Sequence, residues 1–296
     1  MKFSRRVKSA LVRECMAEVL GTFVLVFFGE ATAAQARLSK NTESVLFSAN
    51  FAFPVGVIAG MYLTMGISGA HLNPAVTLSF CVLGRWPWRK LLPYSLSQIL
   101  GAYLAAGVVF LVYYEAIMDY SGGVLSISGP NETATIFFTS PSEYLTLGRS
   151  VLDQVVGTAM LMLCILPLGE KRNTPAPNDL IPVVVGVIVF GLSISVGGNC
   201  MGAINPARDF GPRLLTLTVG YGIETFTCYN YWFWVPLVVP NVGGVLGTFI
   251  YLLFIQWQLP DPEPPEDSSN LFTISDKLKQ EATTWDNGDK LKAERL

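Results

Sequence analysis

The chain has 296 residues, of which 51% are hydrophobic and only 14% are charged, and its mean hydropathy is +0.44. A soluble domain carries about 25% charged residues, so the composition excludes a water-exposed globular protein and places the chain in a lipid bilayer. The 20 basic and 22 acidic residues leave a formal net charge of -2 and no basic surface for nucleic acid. The five cysteines, an odd number, predict no disulfide framework.

The lengths of the apolar stretches predict how often the chain crosses the membrane, because one helical crossing needs about 20 apolar residues. Four stretches each hold one crossing, namely 11–36, 91–114, 148–168 and 225–260. The stretch 44–84 is too long for one crossing and too short for two, and the segment from 180 to about 217 shows the same excess. We therefore predict six spanning helices and two half-length helices.

The basic residues predict the orientation of the chain, because Lys and Arg accumulate in short cytoplasmic loops. They cluster before the first span, between the second and third, and after the fourth, at residues 5–13, 85–90 and 171–172. Both termini are therefore expected in the cytoplasm, with the protein in the plasma membrane. The loop 116–147 is then extracellular.

Three further segments carry predictions about the chain outside the spans. Asn131 begins an Asn-Glu-Thr pattern in the predicted extracellular loop and is a candidate glycosylation site. Ser9 follows several basic residues and is a candidate phosphorylation site, although a basic membrane flank is the favoured explanation of those charges. The composition of 259–296 predicts a disordered cytoplasmic tail, and 1–10 forms a short cytoplasmic N-terminal segment.

An internal repeat divides the membrane part into two halves, at about 11–115 and 148–256. Residues 18–22 (EVLGT) match 154–158 (QVVGT), and residues 69–76 (GAHLNPAV) match 201–208 (MGAINPAR). Each half contributes three spans. Because three is odd, the second half enters the membrane from the opposite side, which is an inverted repeat with functional sites near the midplane.

Each half-length helix begins at an Asn-Pro-Ala triplet. The triplets comprise Asn73, Pro74 and Ala75 in the first half, and Asn205, Pro206 and Ala207 in the second. Asn is a preferred N-cap and Pro suits the first helical position, so the two helix starts should meet near the membrane centre. The loops before them should line an aqueous path. We expect each Asn to keep its NH2 group free to donate into the lumen.

On these motifs, residues 11–255 resemble the aquaporin superfamily, and specifically its glycerol-conducting branch, the aquaglyceroporins. The segments 69–77 (GAHLNPAVT) and 205–213 (NPARDFGPR) carry the resemblance, and Asp209 is the mark of the glycerol branch. Arg213, Tyr113, Tyr114, Pro236 and Leu237 agree with that branch. The resemblance implies an all-α integral membrane fold, with six transmembrane helices and two re-entrant half-helices in an inverted repeat, over the channel domain 11–258.

The resemblance also assigns a selectivity filter to Phe53, Ser193, Gly202 and Arg208. Phe53 offers a hydrophobic wall for the carbons of a polyol, and Arg208 a fixed set of donors for its hydroxyls. Ser193 and Gly202 depart from the usual glycerol filter, which predicts a wider opening that also passes urea, larger polyols or undissociated lactic acid. Alternatively, Gly202 only lets the loop pack.

Other polar residues receive supporting roles. By the resemblance, Glu18 and Gln154 bond to the backbone of the re-entrant loops. His71 lies in the vestibule, as a packed residue or as a pH gate. Glu30, near the outer end of the first span, departs from the family and has no assigned role.

We thus predict a passive channel for water, glycerol and other small neutral solutes, rather than an enzyme. The alternatives are a water-selective channel, a proton-coupled carrier, which the membrane carboxylate Glu30 would suit, and a membrane scaffold. No cofactor or metal is expected. The resemblance further implies a homotetramer in the lipid bilayer.

Overall fold

The computed structural model describes residues 6–39 and 45–261, which form an all-helical bundle. The predicted N-terminal segment before residue 6 and the predicted tail from residue 262 lie outside the described residues. The helices, in chain order, are α1 (Ala10–Leu38), α2 (Val45–Ser68), α3 (Pro74–Val82), α4 (Leu91–Val112), α5 (Tyr114–Ser121), α6 (Leu147–Ile165), α7 (Ile181–Cys200), α8 (Pro206–Val219), α9 (Glu224–Tyr231) and α10 (Trp234–Phe254).

Long apolar helices account for the predicted crossings. Within the described residues, five segments are long and apolar enough to span a membrane, namely Asn50–Ser68, Trp88–Val112, Leu147–Gly169, Ile181–Cys200 and Trp234–Gln258. The sixth predicted crossing is α1, whose 29 residues make about 43 Å of helix. It is less apolar than the others because Glu18 and Glu30 lie within it. The multi-pass helical architecture that the sequence predicts is thereby confirmed.

The half-length helices α3 and α8 tie the two repeats together. They contain 9 and 14 residues, too few to cross a bilayer. Helices α1, α2 and α4 pack together, as do α6, α7 and α10. However, α3 packs mainly against α10, and α8 mainly against α4. Each half-helix therefore rests on the last long helix of the other repeat.

Glycines set how closely the long helices approach. A Cβ atom added at Gly56 would lie 2.6 Å from the backbone oxygen of Leu25, and one at Gly243 would lie 2.6 Å from that of Val155. Backbone therefore touches backbone at these crossings, as small residues allow in membranes. By contrast, a Cβ at Gly191 would meet no described atom within 4 Å.

We predict that Gly56→Ala destabilises the fold by about 1 to 3 kcal/mol, because the added methyl must push α2 away from α1. Thermal unfolding of the purified protein in detergent would measure the loss. Gly191→Ala is the matched control and should leave the unfolding temperature unchanged, since its methyl meets open space. Equal shifts for both variants would contradict this account of the packing.

The long connection between α4 and α6 folds back onto the helices. Its residues Ile136, Phe137 and Phe138 are buried and join a hydrophobic cluster with Val109 and Leu215. These two residues belong to α4 and α8. The connection is therefore a fixed part of the fold that covers one end of the bundle.

Candidate pore and selectivity filter

A cavity of about 430 Å³ lies between the helices of the two repeats. Its lining includes Arg85 and Gly169 at one end of the bundle and Ala33 and Asn50 at the other. The cavity therefore extends between the two ends of the long helices. All four predicted filter residues line it, together with both asparagines of the Asn-Pro-Ala triplets and His71.

Each triplet caps its half-helix. The Oδ1 atom of Asn73 accepts a hydrogen bond of 2.9 Å from the backbone N–H of Ala75. Likewise, Asn205 accepts from Ala207 at 3.0 Å and from Arg208 at 3.3 Å. A proline follows each asparagine at the first helical position. This local chemistry fixes where α3 and α8 begin.

The NH2 groups of the two asparagines bind the opposite loop, which corrects the expectation that they point freely into the lumen. Asn73 Nδ2 donates to the backbone oxygen of Ile204 at 3.0 Å, and Asn205 Nδ2 donates to that of Leu72 at 2.9 Å. These two carbonyls need donors at membrane depth, where unpaired backbone groups are costly. Each NH2 group has a second N–H, which can still donate to a solute.

Glu18 holds the loop before α3, as the sequence suggested. Its carboxylate accepts hydrogen bonds from the backbone N–H groups of His71 and Leu72, at 3.0 and 2.8 Å. It also accepts from Ser68 Oγ at 2.6 Å and from Gln98 Nε2 at 2.7 Å. These bonds stabilise a loop in which Leu72 adopts a left-handed φ of 52°, which is unfavourable for a residue with a Cβ.

Gln154 does not play the matching role in the second repeat, and the prediction for it is wrong. Its Nε2 atom donates to Asp153 Oδ2 at 2.7 Å, while its Oε1 atom has no hydrogen-bond partner among the described residues. The carboxylate of Asp153 is a stronger acceptor than a backbone carbonyl, and it also binds Asn199 Nδ2 at 2.8 Å. Asp153 is a cavity-lining residue that the sequence analysis missed, although it precedes the repeat motif directly.

The predicted filter residues Arg208 and Phe53 lie against each other. The guanidinium carbon of Arg208 is 4.7 Å from the centroid of the Phe53 ring. Its Nη1 atom donates to the backbone oxygen of Phe137 at 2.9 Å. Ring and carbonyl together fix the orientation of the guanidinium, so that the remaining N–H groups are available to a solute in the cavity.

Asp209 and Arg213 support the filter from behind. They form a buried ion pair in which Arg213 Nε donates to Asp209 Oδ1 at 2.8 Å. Asp209 accepts a hydrogen bond from the backbone N–H of Thr139 at 2.8 Å, while Arg213 Nη2 donates to the backbone oxygen of Thr139 at 3.0 Å. The pair therefore holds the loop that presents the Phe137 carbonyl to Arg208. The sequence offered no signal for Phe137, because only the folded loop places its carbonyl there.

Pro236 and Leu237 lie in the first turn of α10, and Pro236 is buried. The described residues that line the cavity include neither Pro236 nor Leu237. They also include neither Asp209 nor Arg213. Tyr113, which also agreed with the glycerol-conducting branch, lies at the end of α4. Its hydroxyl accepts a hydrogen bond from Gln35 Nε2 at 3.0 Å. These residues can therefore affect solute selection only through the residues they support.

We predict that Asp209→Asn destabilises the protein by about 3 to 5 kcal/mol, because it leaves the buried charge of Arg213 without its partner. Thermal or denaturant unfolding of the purified channel would measure the loss. Glu143→Gln is the control, since Glu143 is exposed and its substitution should change the stability by less than about 1 kcal/mol. An equally small effect of Asp209→Asn would contradict the supporting role.

His71 lies in the cavity wall as a packed residue. Its ring stacks on Phe80, with centroids 5.0 Å apart, and lies 4.8 Å from the ring of Trp86. Its Nδ1 atom is 3.2 Å from Thr77 Oγ1. These contacts favour the packed residue over the pH gate, the two readings that the sequence left open.

Gly202 and Ser193 face the same cavity as Arg208. Gly202 has a left-handed φ of 62°, so a glycine suits the backbone at this position. However, a Cβ atom added there would also meet no described atom within 4 Å. The geometry therefore fits both interpretations of Gly202, as a loop residue and as the cause of a wider opening.

The two candidate modification sites lie at opposite ends of the bundle. Ser9 is exposed and caps α1, with its side-chain oxygen accepting from the Val12 N–H at 3.4 Å. Asn131 is exposed in a turn of the connection between α4 and α6. The third residue of its glycosylation pattern, Thr133, is fully buried and its Oγ1 lies 2.8 Å from the Tyr221 hydroxyl.

An ion cluster lies at the end of the bundle where Arg85 lines the cavity. Arg85 Nη2 lies 2.8 Å from Glu170 Oε2, and Arg172 Nε lies 3.1 Å from Glu170 Oε1. Arg85 and Arg172 also donate to Gln256, which follows α10. The hydrogen bond from Arg172, helped by the charges of both arginines, holds the pKa of Glu170 below its ordinary value of 4.5.

We predict that Glu170→Gln lowers the free energy of unfolding by about 1 kcal/mol at pH 7. Because the pKa of Glu170 is lower in the folded chain, its contribution is present above pH 4.5 and is lost as the pH falls through the folded value. The difference between variant and parent, measured by unfolding at a series of pH values below 7, should therefore shrink as the pH falls below 4.5. The exposed Glu143 supplies the control, Glu143→Gln, which should have little effect at any of these pH values. A difference for Glu170→Gln that does not shrink with falling pH would contradict the ionic role.

Comparisons with known proteins point in one direction. A sequence profile of the major intrinsic protein family matches residues 5–251. The chain is 43% identical over 275 residues to human Aquaporin-10, covering 93% of this chain and 91% of the relative. It is 41% identical over 258 residues to mouse Aquaporin-9, covering 87% and 88%. The X-ray structure of the aquaglyceroporin from Plasmodium falciparum superposes with a TM-score of 0.74 at 31% identity, over 81% of this chain and 95% of that one.

Proposed function

The chain belongs to the major intrinsic protein family, and we propose that it works in this family as a channel with a widened selectivity filter. It is a passive transmembrane channel for water, glycerol and other small uncharged solutes, and not an enzyme. The finer proposal is that the filter also admits urea, larger polyols and undissociated lactic acid. It rests on the open space beside Gly202.

The four proposed filter residues offer different chemical groups to a solute. Phe53 presents an aromatic face to the carbons of a solute, and Arg208, held by Phe137, presents N–H donors to its hydroxyls. Ser193 adds a hydroxyl that can donate or accept. Because Gly202 contributes no side chain, the cavity wall at this position lacks the bulk that would stop a larger solute.

Cations are rejected by the helix ends rather than by size alone. The starts of α3 and α8 meet where Asn73 and Asn205 bind the opposite loops. A helix N-terminus carries about half a positive elementary charge, so the two starts repel protons and other cations, as in aquaporin-type pores generally. The second N–H of each asparagine can meanwhile donate to the oxygen of a passing solute.

We also propose the setting in which the channel works. Both termini face the cytoplasm and the protein resides in the plasma membrane as a homotetramer with one pore in each subunit. The basic residues Arg85 and Arg172 at one end of the bundle support the orientation. The exposed Asn131 at the other end is then extracellular and open to glycosylation.

We predict that Gly202→Phe reduces the flux of urea and five-carbon polyols by about tenfold or more relative to water, because an aromatic ring fills the open side of the filter. Stopped-flow swelling of reconstituted liposomes with a graded series of solutes would measure the ratios. Gly202→Ala is the control: it shares the strain of a side chain at a left-handed φ but adds little bulk. If both variants change the ratios equally, or if neither does, the filter is not widened at Gly202.

A further inference from the structure

The end of α7 is capped by the long connection between α4 and α6. A helix leaves the carbonyl groups of its last turn without partners inside the helix. Ser142 supplies donors to two of them. Its Oγ atom donates to the backbone oxygen of Gly198 at 3.0 Å, and its backbone N–H donates to that of Asn199 at 2.9 Å. The Tyr144 hydroxyl also donates to Asn199 Oδ1 at 2.9 Å, so the connection fixes the place where α7 ends.

The filter loop departs directly from this capped end. Helix α7 ends at Cys200, and Met201 and Gly202 then turn the chain with left-handed φ values of 54° and 62°. Ser140 Oγ donates to Met201 Sδ at 3.5 Å. Met201 and Gly202 both line the cavity. The position of the cavity wall at Gly202 therefore depends on where the connection holds α7.

The same connection holds the filter arginine. The backbone oxygen of Phe137 accepts a hydrogen bond from Arg208 Nη1 at 2.9 Å. Two residues further on, Thr139 is fully buried. Its backbone N–H donates to Asp209, and its backbone oxygen accepts from Arg213. The connection is thus bound both to Arg208 and to the ion pair that supports it.

These two attachments lie close together in the sequence. The five residue steps from Phe137 to Ser142 span at most about 18 Å when fully extended. Pro141 stiffens this short segment, because its ring fixes one backbone φ. The chain also runs directly from the end of α7 to the filter arginine, through residues 199–208. The segments 137–142 and 199–208 therefore form a closed loop that hydrogen bonds join at both ends.

We propose that residues 137–142 are a brace that sets the width of the filter, and that Ser142 is its positioning residue. The proposal rests on the proposed function, in which Gly202 and Arg208 bound the filter. Because the brace binds Arg208 at one end and α7 at the other, it limits how far the wall at Gly202 can move from the guanidinium. A site keeps its dimensions only when its supporting groups are held in turn. The largest solute that passes is therefore decided by the brace together with the filter residues.

The first test lengthens the brace by one glycine, inserted between Thr139 and Ser140. Purified channels are reconstituted into liposomes, and the fluxes of water, glycerol and xylitol are followed by light scattering. The insertion adds up to about 3.5 Å of slack. We expect the xylitol-to-glycerol permeability ratio to rise by about threefold or more, because pore diameter limits the larger polyol first. The control is a glycine inserted between Gly123 and Val124, which are exposed and lie in the same connection outside the brace. It should leave the ratio unchanged.

Substitutions at Ser142 test the attachment without changing the length of the chain. Ser142→Ala removes the Oγ bond to Gly198 and keeps the backbone bond to Asn199, so the ratio should rise by about twofold. Ser142→Thr keeps a hydroxyl and should show the parental ratio. Glu143→Gln, at the exposed neighbouring residue, is the matched control and should not change the ratio. Thermal unfolding of each variant shows whether a loss of stability occurs without a change in the ratio, as expected if Ser142 only stabilises the fold.

The outcomes separate the brace from the proposed function. A parental channel that carries no glycerol would refute the proposed function. If the parent conducts glycerol, and the lengthened brace and Ser142→Ala both keep the parental xylitol ratio, the brace does not set the width of the filter. An equal rise for the insertion after Gly123 would also overturn the proposal, because the effect would not depend on the brace. If the lengthened chain fails to fold, the comparison of Ser142→Ala with Ser142→Thr decides.

Discussion

The reciprocal hydrogen bonds between the tips of the half-helices are the constraint on which the pore depends. Asn73 binds the carbonyl before Asn205, and Asn205 binds the carbonyl before Asn73. Irregular backbone can exist at this depth only where its polar groups are satisfied by protein or water. The same two residues cap their helices, so one side chain starts a helix and joins the repeats. Arg208, in the first turn of α8, is positioned directly by this junction, because its N–H donates to Asn205.

The two repeats share a backbone design but use different polar groups to hold it. In the first repeat, a single carboxylate, Glu18, collects the N–H groups of the loop before α3. In the second repeat, Gln154 donates a hydrogen bond to Asp153 instead. The Asp209–Arg213 pair holds the connection between α4 and α6 by its hydrogen bonds with Thr139. The inverted symmetry therefore describes the path of the chain, whereas the chemistry of the pore wall is asymmetric.

The sequence predicted the parts of the molecule that depend on local rules. Span lengths, the proline-flanked starts of α3 and α8, and the repeat all follow from apolar runs and capping chemistry, and the helical architecture confirms them. The contacts of Gln154 and the carbonyl of Phe137 could not be predicted, since they depend on which distant segments meet in space. Glu30 was conspicuous in the sequence, but only the fold shows that its side chain is fully buried and has no hydrogen-bond partner among the described residues.

The exchange of half-helices between repeats bears on how the protein is made. Helix α3 rests mainly on α10, the last long helix of the chain, and α8 rests on α4 from the first repeat. A ribosome delivers α3 long before α10 exists, and segments of large proteins that await their partners are vulnerable to misassembly. The pore can therefore close around its centre only after synthesis of α10. A nascent chain stopped before Trp234 would hold its first re-entrant segment without a docking surface.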